Sequence, residues 1–231
     1  MIRSTLGCMI DHLVYATPDL EATIGTFADA FGVEPTAGGQ HVGKGTRNAL
    51  IGLHIGPRSA DGSERSCYLE IVGPDLDQPN PDGPRPFGID TLNQPALVAW
   101  CARPIDLDNA RSTLLRQGFD PGPIDAMTRR RTDGVLLQWR LTYPQVSAQF
   151  GATIPFMIDW LASEHPTASL PTVLRLEQLA LGCTAPERLA TMLTGIDLPI
   201  NDDPVYRLSL SADPFIAATI WRGDGSTGIL T

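Results

Sequence analysis

MIDHLVYATPDLEATIGTFADAFG, residues 9–32, carries the pattern from which the rest of the chain is read. Met9, Leu13, Val14 and Tyr15 supply the apolar side chains of a short buried strand, Pro18 ends it, and Asp19 stands where a helix N-cap belongs. Leu20, Ile24, Phe27 and Phe31 then recur at spacings of four, three and four, which lays one apolar stripe along one helical face. Gly32 follows, where a left-handed C-terminal cap is needed. The segment reads as strand, turn and amphipathic helix.

The same punctuation returns. Pro18, Gly32 and Pro35 are matched by Pro104, Gly118 and Pro121, each 86 positions later, and Leu107, Ala110, Leu114 and Leu115 supply the second helical stripe. A less regular copy runs through residues 173–181, continues with Leu189, Met192 and Leu193, and stops at Gly195. Strand-helix units recurring in one chain point to duplication. The expected organisation is a first module over residues 1–75, a Pro-, Asp- and Asn-rich linker over 76–95, a second module over 96–161, and a partial third module over 173–231 packed on the same domain. Within them, further strands are expected at 49–55, 67–72, 96–102, 124–131, 135–142, 154–160, 206–211 and 215–221, with a turn at Asp133-Gly134 and a glycine-containing tail.

Composition narrows the function. A chain of 231 residues with 42% hydrophobic and 19% charged residues has enough apolar surface for a proper core. Its net charge of −9 argues against nucleic-acid and anionic-membrane partners, which require clustered Lys and Arg. The basic run Arg129-Arg130-Arg131, beside Asp133-Gly134, reads as a solvated approach to a hairpin, with an anion site as the alternative. Cys8, Cys67, Cys101 and Cys183 lack metal-ligand spacing and fall mostly in apolar runs, so they read as buried thiols, which fits a cytoplasmic protein. No stretch approaches the roughly 18 apolar residues of a membrane span.

Chemistry is confined to a few positions. His12 lies inside the first strand and Glu70 inside the strand at 67–72, and buried polar groups in strands require partners. Facing one another, the two suit a divalent metal with open positions. His41, in the glycine-rich loop 35–48, is a ligand, a substrate donor or an exposed loop residue, whereas His54 and His165 carry no expected role. Gly38, Gly43 and Lys44 have phosphate-loop spacing, but Gly45 occupies the place of the magnesium-holding hydroxyl. No Gly-x-Ser-x-Gly elbow is present to support a covalent hydrolase.

Ile10-Asp11-His12-Leu13-Val14 with Pro18-Asp19-Leu20, the run Gly38-Gly39-Gln40-His41-Val42-Gly43-Lys44-Gly45-Thr46-Arg47-Asn48, and Tyr68-Leu69-Glu70 resemble the glyoxalase-like domain of the vicinal oxygen chelate superfamily. Thr132-Asp133-Gly134, Leu137-Gln138-Trp139-Arg140, Pro155-Phe156 and Asp159-Trp160 extend the similarity into the second half. The resemblance implies an α+β fold of tandem βαβββ modules, with curved, largely antiparallel sheets around a central cavity and an incomplete third module. It also implies a small-molecule substrate or ligand, a candidate homodimer, and His12 and Glu70 as ligands of a divalent metal such as Zn, Ni, Mn or Fe. Such a metal would act as a Lewis acid in a lyase, isomerase or dioxygenase-like enzyme, with Glu70 as ligand or proton acceptor. Gly39, His41, Gly45, Thr46, Asn48 and Trp160 would then contact substrate. The 86-residue offset carries His12 to Val98 and Glu70 to Phe156, which are not ligands, so a third ligand must come from His41, Asp159 or Gln178, or the cavity works without metal. In that second case the protein sequesters a compound, and Trp100, Trp139 and Trp160 serve as cavity walls.

Overall fold

The chain is organised as three runs of strand, helix and three strands. In the first, β1 (Met9–Ala16), α1 (Leu20–Phe31), β2 (Thr36–His41), β3 (Thr46–Ile55) and β4 (Arg65–Pro74) follow one another. The second comprises β5 (Ala96–Arg103), α2 (Leu107–Arg116), β6 (Asp125–Arg130), β7 (Leu136–Leu141) and β8 (Phe156–Asp159). The third comprises β9 (Thr172–Cys183), α3 (Pro186–Gly195), β10 (Tyr206–Leu210), β11 (Phe215–Trp221) and β12 (Thr227–Leu230). This computed structural model describes residues 8–57, 63–130, 134–143 and 145–231; Arg131 and the Thr132-Asp133 part of the expected hairpin lie outside them.

The caps form as the sequence requires. Asp19 accepts a hydrogen bond from the Ala22 amide, Asp106 accepts one from Asn109, and Gly32 closes α1 at φ 67°, a conformation that costs glycine nothing. Strands and N-caps of the first two runs align at 87 positions rather than 86: Met9 with Ala96, Asp19 with Asp106, Leu20 with Leu107. The offset returns to 86 at Gly118 because α2 is shorter than α1.

All the strands join one curved, mostly antiparallel sheet, in the order β12-β11-β9-β3-β4-β1-β5-β8-β7-β6, with β2 added on β3 and β10 on β9. The antiparallel pair β1–β5 is the seam, and on either side of it the first strand of a run pairs in parallel with the last, β1 with β4 and β5 with β8. The third run has the same order of elements but not the same pairing. β9 pairs in parallel with both β3 and β10, and antiparallel with β11. The tail expected after β11 contains β12, which pairs with β11 and buries Leu230.

Alternation along the strands sends side chains into two layers. On the helix-bearing face, Ile10, Leu13, Leu69 and Trp100 pack with Leu20 and Phe27 of α1, Leu107 and Leu114 of α2, and Leu189 and Leu193 of α3. On the opposite face, Val14, Tyr68, Phe156, Trp139 and Trp160 form a smaller cluster. That second layer encloses the cavity.

Candidate active site

The site starts from a break in the ladder. Between Ile10 and His12 the pairing of β1 with β5 slips by one residue, leaving Asp11 without a partner across the strands. Asp11 and His12 are both buried, and His12 Nδ1–H donates to Asp11 Oδ1 at 2.7 Å. The other carboxylate oxygen accepts from Trp160 Nε1 and from His165 Nε2, each at 3.0 Å. Burial alone would push the Asp11 carboxyl up, but the hydrogen bonds from His12 and His165 outweigh it and hold it well below the usual carboxylate range. A fixed anion behind Nδ1 leaves Nε2 of His12 facing the cavity, the arrangement found behind metal-binding histidines.

Glu70, on β4, meets that nitrogen. Its Oε2 lies 3.8 Å from His12 Nε2, its Oε1 lies 3.6 Å from His41 Nε2, and Asn48 Nδ2 donates to Oε1 at 2.6 Å. His41 ends β2, and its Nδ1 sits 3.0 Å from Thr46 Oγ1 while Nε2 faces the Asn48 amide at 3.4 Å. With Asn48 as donor, Nδ1 carries the proton and Nε2 the lone pair. Burial holds the His41 pKa below its ordinary value, with the Glu70 charge opposing and Arg129 and His12 adding to the depression. Among the described residues, the buried Glu70 carboxylate makes no ion pair with Lys or Arg. A buried carboxylate facing two imidazoles calls for a cation.

Aromatic rings wall the rest. Tyr68 stacks on His12 at 4.7 Å, Phe156 meets it edge-on at 5.4 Å, and Trp139 lies 5.5 Å from Trp160. The cavity holds about 110 Å³, room for several waters or one small organic molecule. Lys44 lines it with its Nζ over the Tyr143 ring at 5.6 Å. Trp100, expected as a wall, belongs to the other layer, where its Nε1 donates to the Thr153 carbonyl.

His12, His41, Asn48, Glu70 and Trp160 therefore share one cavity. Thr46 lies behind His41 and is fully buried. Gly45 takes φ 62° and offers its carbonyl to Arg85, and Gly39 sits at a register slip in β2; neither lines the cavity. Of the alternative third ligands, Asp159 pairs with Arg140 at 2.8 Å and Gln178 stands opposite Thr219 on β9, so of the three only His41 faces Glu70. His165 was missed because nothing local to Pro166 and Thr167 signals that the chain returns it to Asp11, 154 residues away in sequence. Arg129 was misread as solvated: it is 6% exposed and donates to Asn48 Oδ1 at 3.1 Å.

Two clusters could hold a metal. Ligands bound at about 2.0–2.2 Å to one ion lie about 3–3.5 Å apart, close to the separations from His12 and His41 to Glu70. Asp11, His12 and Cys101 also bring donor atoms within 4.8 Å of one another. There, however, both Asp11 oxygens are already occupied by N–H donors, and burial drives the Cys101 thiol well above its ordinary pKa, so it stays protonated. That cluster fits the role of support behind His12, and the Glu70 side is the open one.

Residues 10–196 match the family model described as a glyoxalase-like domain. The chain belongs to the glyoxalase-like domain family. Among solved structures, a hypothetical protein from Staphylococcus aureus is similar over 97% of this chain and 99% of its own, with 15% identity and a TM-score of 0.62, a likeness of fold. Methylmalonyl-CoA epimerase from Mycobacterium tuberculosis is similar at 20% identity over 68% of this chain and 90% of its own, TM-score 0.37. Glyoxalase I from Zea mays is similar at 13% identity over 96% and 92%, TM-score 0.27. No curated protein matches the chain.

Within this glyoxalase-like domain the two halves of the cavity can be compared position by position. Val14 pairs with Glu70 and Cys101 with Phe156, so Phe156 takes the Glu70 place, and the 87-residue strand offset carries His12 to Ala99. The equivalence with Val98, taken from the 86-residue spacing, is off by one residue, which in a strand means the wrong face. Leu141, opposite Ile158, takes the place of Asn48, opposite Val72. Met127, opposite Trp139, takes that of His41, opposite Thr46.

Proposed function

We propose that this glyoxalase-like protein is an enzyme acting on a small oxygen-rich organic molecule, with His12, His41 and Glu70 as ligands of a divalent metal. The observation that carries the reading is the convergence of two imidazole Nε2 atoms on a buried carboxylate that no Lys or Arg neutralises among the described residues. A bound divalent ion would supply Lewis-acid polarisation of substrate oxygens. The chain's own groups do the rest. Asp11 and Thr46 fix the tautomers of His12 and His41, and Asn48 holds Glu70 Oε1. Glu70 Oε2, which Asn48 does not engage, is the group placed to accept a proton from a substrate atom beside the polarised oxygens. Tyr68, Phe156, Trp139 and Trp160 exclude water and restrict the substrate to a small molecule.

Metal analysis after dialysis against Mn, Ni, Zn and Fe in turn tests the assignment. One equivalent of one divalent ion is expected for the unaltered protein, and a loss of affinity of at least tenfold in each of His12→Ala, His41→Ala and Glu70→Ala. No ion retained under any of the four conditions would overturn it and favour metal-free sequestration of a compound by the aromatic wall.

A further inference from the structure

Arg129 carries a charge that the chain leaves unanswered. Its guanidinium is buried, reaches from β6 across to β3, and among the described residues makes one hydrogen bond, to Asn48 Oδ1, and no ion pair. Nε is enclosed and has no hydrogen-bond partner among the described residues. A guanidinium offers five N–H donors, and the bridge through Asn48 to Glu70 engages one of them, leaving the other four without an acceptor among the described residues. The fold also makes room for the arrangement. At Gly38 a Cβ would lie 2.2 Å from Asn48 Oδ1 and 3.1 Å from an Arg129 terminal nitrogen, so glycine there lets both side chains lie against β2.

Two cavities meet at Arg129, and their charges differ. The second is bordered by the exposed carboxylate side of Glu164, which disfavours an anion. The first is bordered by Lys44, whose Nζ sits over the Tyr143 ring and which has no ion pair among the described residues. Two cations without carboxylate partners thus line one small cavity of a protein whose net charge is −9. Resting on the enzyme reading above, we infer that Arg129 receives a carboxylate of the substrate, with Lys44 at the rim drawing it in, while the oxygens that react face Glu70 and the two histidines. A carboxylate rather than a phosphate fits. One buried guanidinium balances one negative charge, its planar fork matches two oxygens in a plane, and the neighbouring Met127 and Leu141 add no donor to serve a third oxygen. The substrate class is a small 2-hydroxy or 2-oxo monocarboxylic acid, its carboxylate turned to Arg129 and its adjacent oxygen to Glu70 and the two histidines.

Calorimetric titration of the full chain, loaded with whichever divalent ion it retains, compares lactate with its neutral counterpart lactamide and with methyl phosphate. Lactate is expected to bind at least tenfold more tightly than either. Arg129→Gln should abolish that preference by weakening lactate at least tenfold more than lactamide; Arg129→Lys, which keeps the charge but loses the fork, should retain a reduced preference and serves if the Gln variant does not fold. Equal affinity for lactate and lactamide, a preference for methyl phosphate, or a lactate preference that survives Arg129→Gln would overturn the assignment. Metal content on the same samples separates the two readings: a lactate preference lost with Arg129 in a protein that holds no metal sustains this inference and removes the metal site.

Discussion

The two halves of the sheet that flank β1–β5 are built alike and do opposite things. Where the first half places His12, His41, Asn48 and Glu70, the second places Ala99, Met127, Leu141 and Phe156 at the equivalent positions. The pattern of strand pairing is the same, although β7 and β8 are shorter than β3 and β4, and Met127, Leu141 and Phe156 line the same hollow as His12, His41, Asn48 and Glu70. The repeated pairing therefore accounts for the shape, and four differences of residue type account for the asymmetry. One half can carry polar chemistry only because Asp11, Thr46 and Asn48 satisfy its buried groups. The other half, Arg129 apart, lines the hollow with hydrocarbon and rings, which lowers the dielectric around the first.

The largest expected break in that comparison comes from removing the support. Asp11→Ala leaves His12 Nδ1, His165 Nε2 and Trp160 Nε1 without their shared acceptor, and should lower stability by about 3–5 kcal/mol in chemical denaturation. Phe156→Glu asks whether the second half could hold a carboxylate at all. With Leu141 where Asn48 would stand, the new group lacks the amide that holds Glu70, and a loss of about 3 kcal/mol is expected, whereas Phe156→Leu should cost roughly half as much. A Glu tolerated without loss would show that the asymmetry lies elsewhere.

The smallest effect sharpens the comparison through pH. The folded state holds His41 below its ordinary value of 6.5, so the unfolded chain takes up its proton first as pH falls. Stability from this group is full above 6.5 and declines as pH drops below it. Asp11 is held low instead, so its contribution persists until pH falls through and below the ordinary carboxylate range, near 3.9. Thermal melts between pH 8 and 5 should therefore show a gentle decline that His41→Gln flattens. An unchanged slope in that variant would assign the decline to another group.

Much of this was legible in residue order. Asp19 and Asp106 announce helix starts, Gly32 and Gly118 their ends, and period-two and period-3.6 patterns separate strands from helices, because these signals depend on local backbone geometry alone. His12 and Glu70 also stood out, since a polar side chain inside an apolar strand is a local anomaly. Arg129 and His165 did not, because their surroundings are assembled from strands and loops 81 and 154 residues away, and a single basic or imidazole side chain near a turn carries no local mark. The one-residue slip at Asp11 was equally hidden. Sequence by itself determined that the chain repeats a strand-helix unit and that one copy carries an imidazole and a carboxylate. Only the tertiary structure decided that both face one hollow, that His41 joins them, that His12 corresponds to Ala99 rather than Val98, and that a buried guanidinium lies beside them, since which face a side chain takes is set by register, and register by partners distant in the chain.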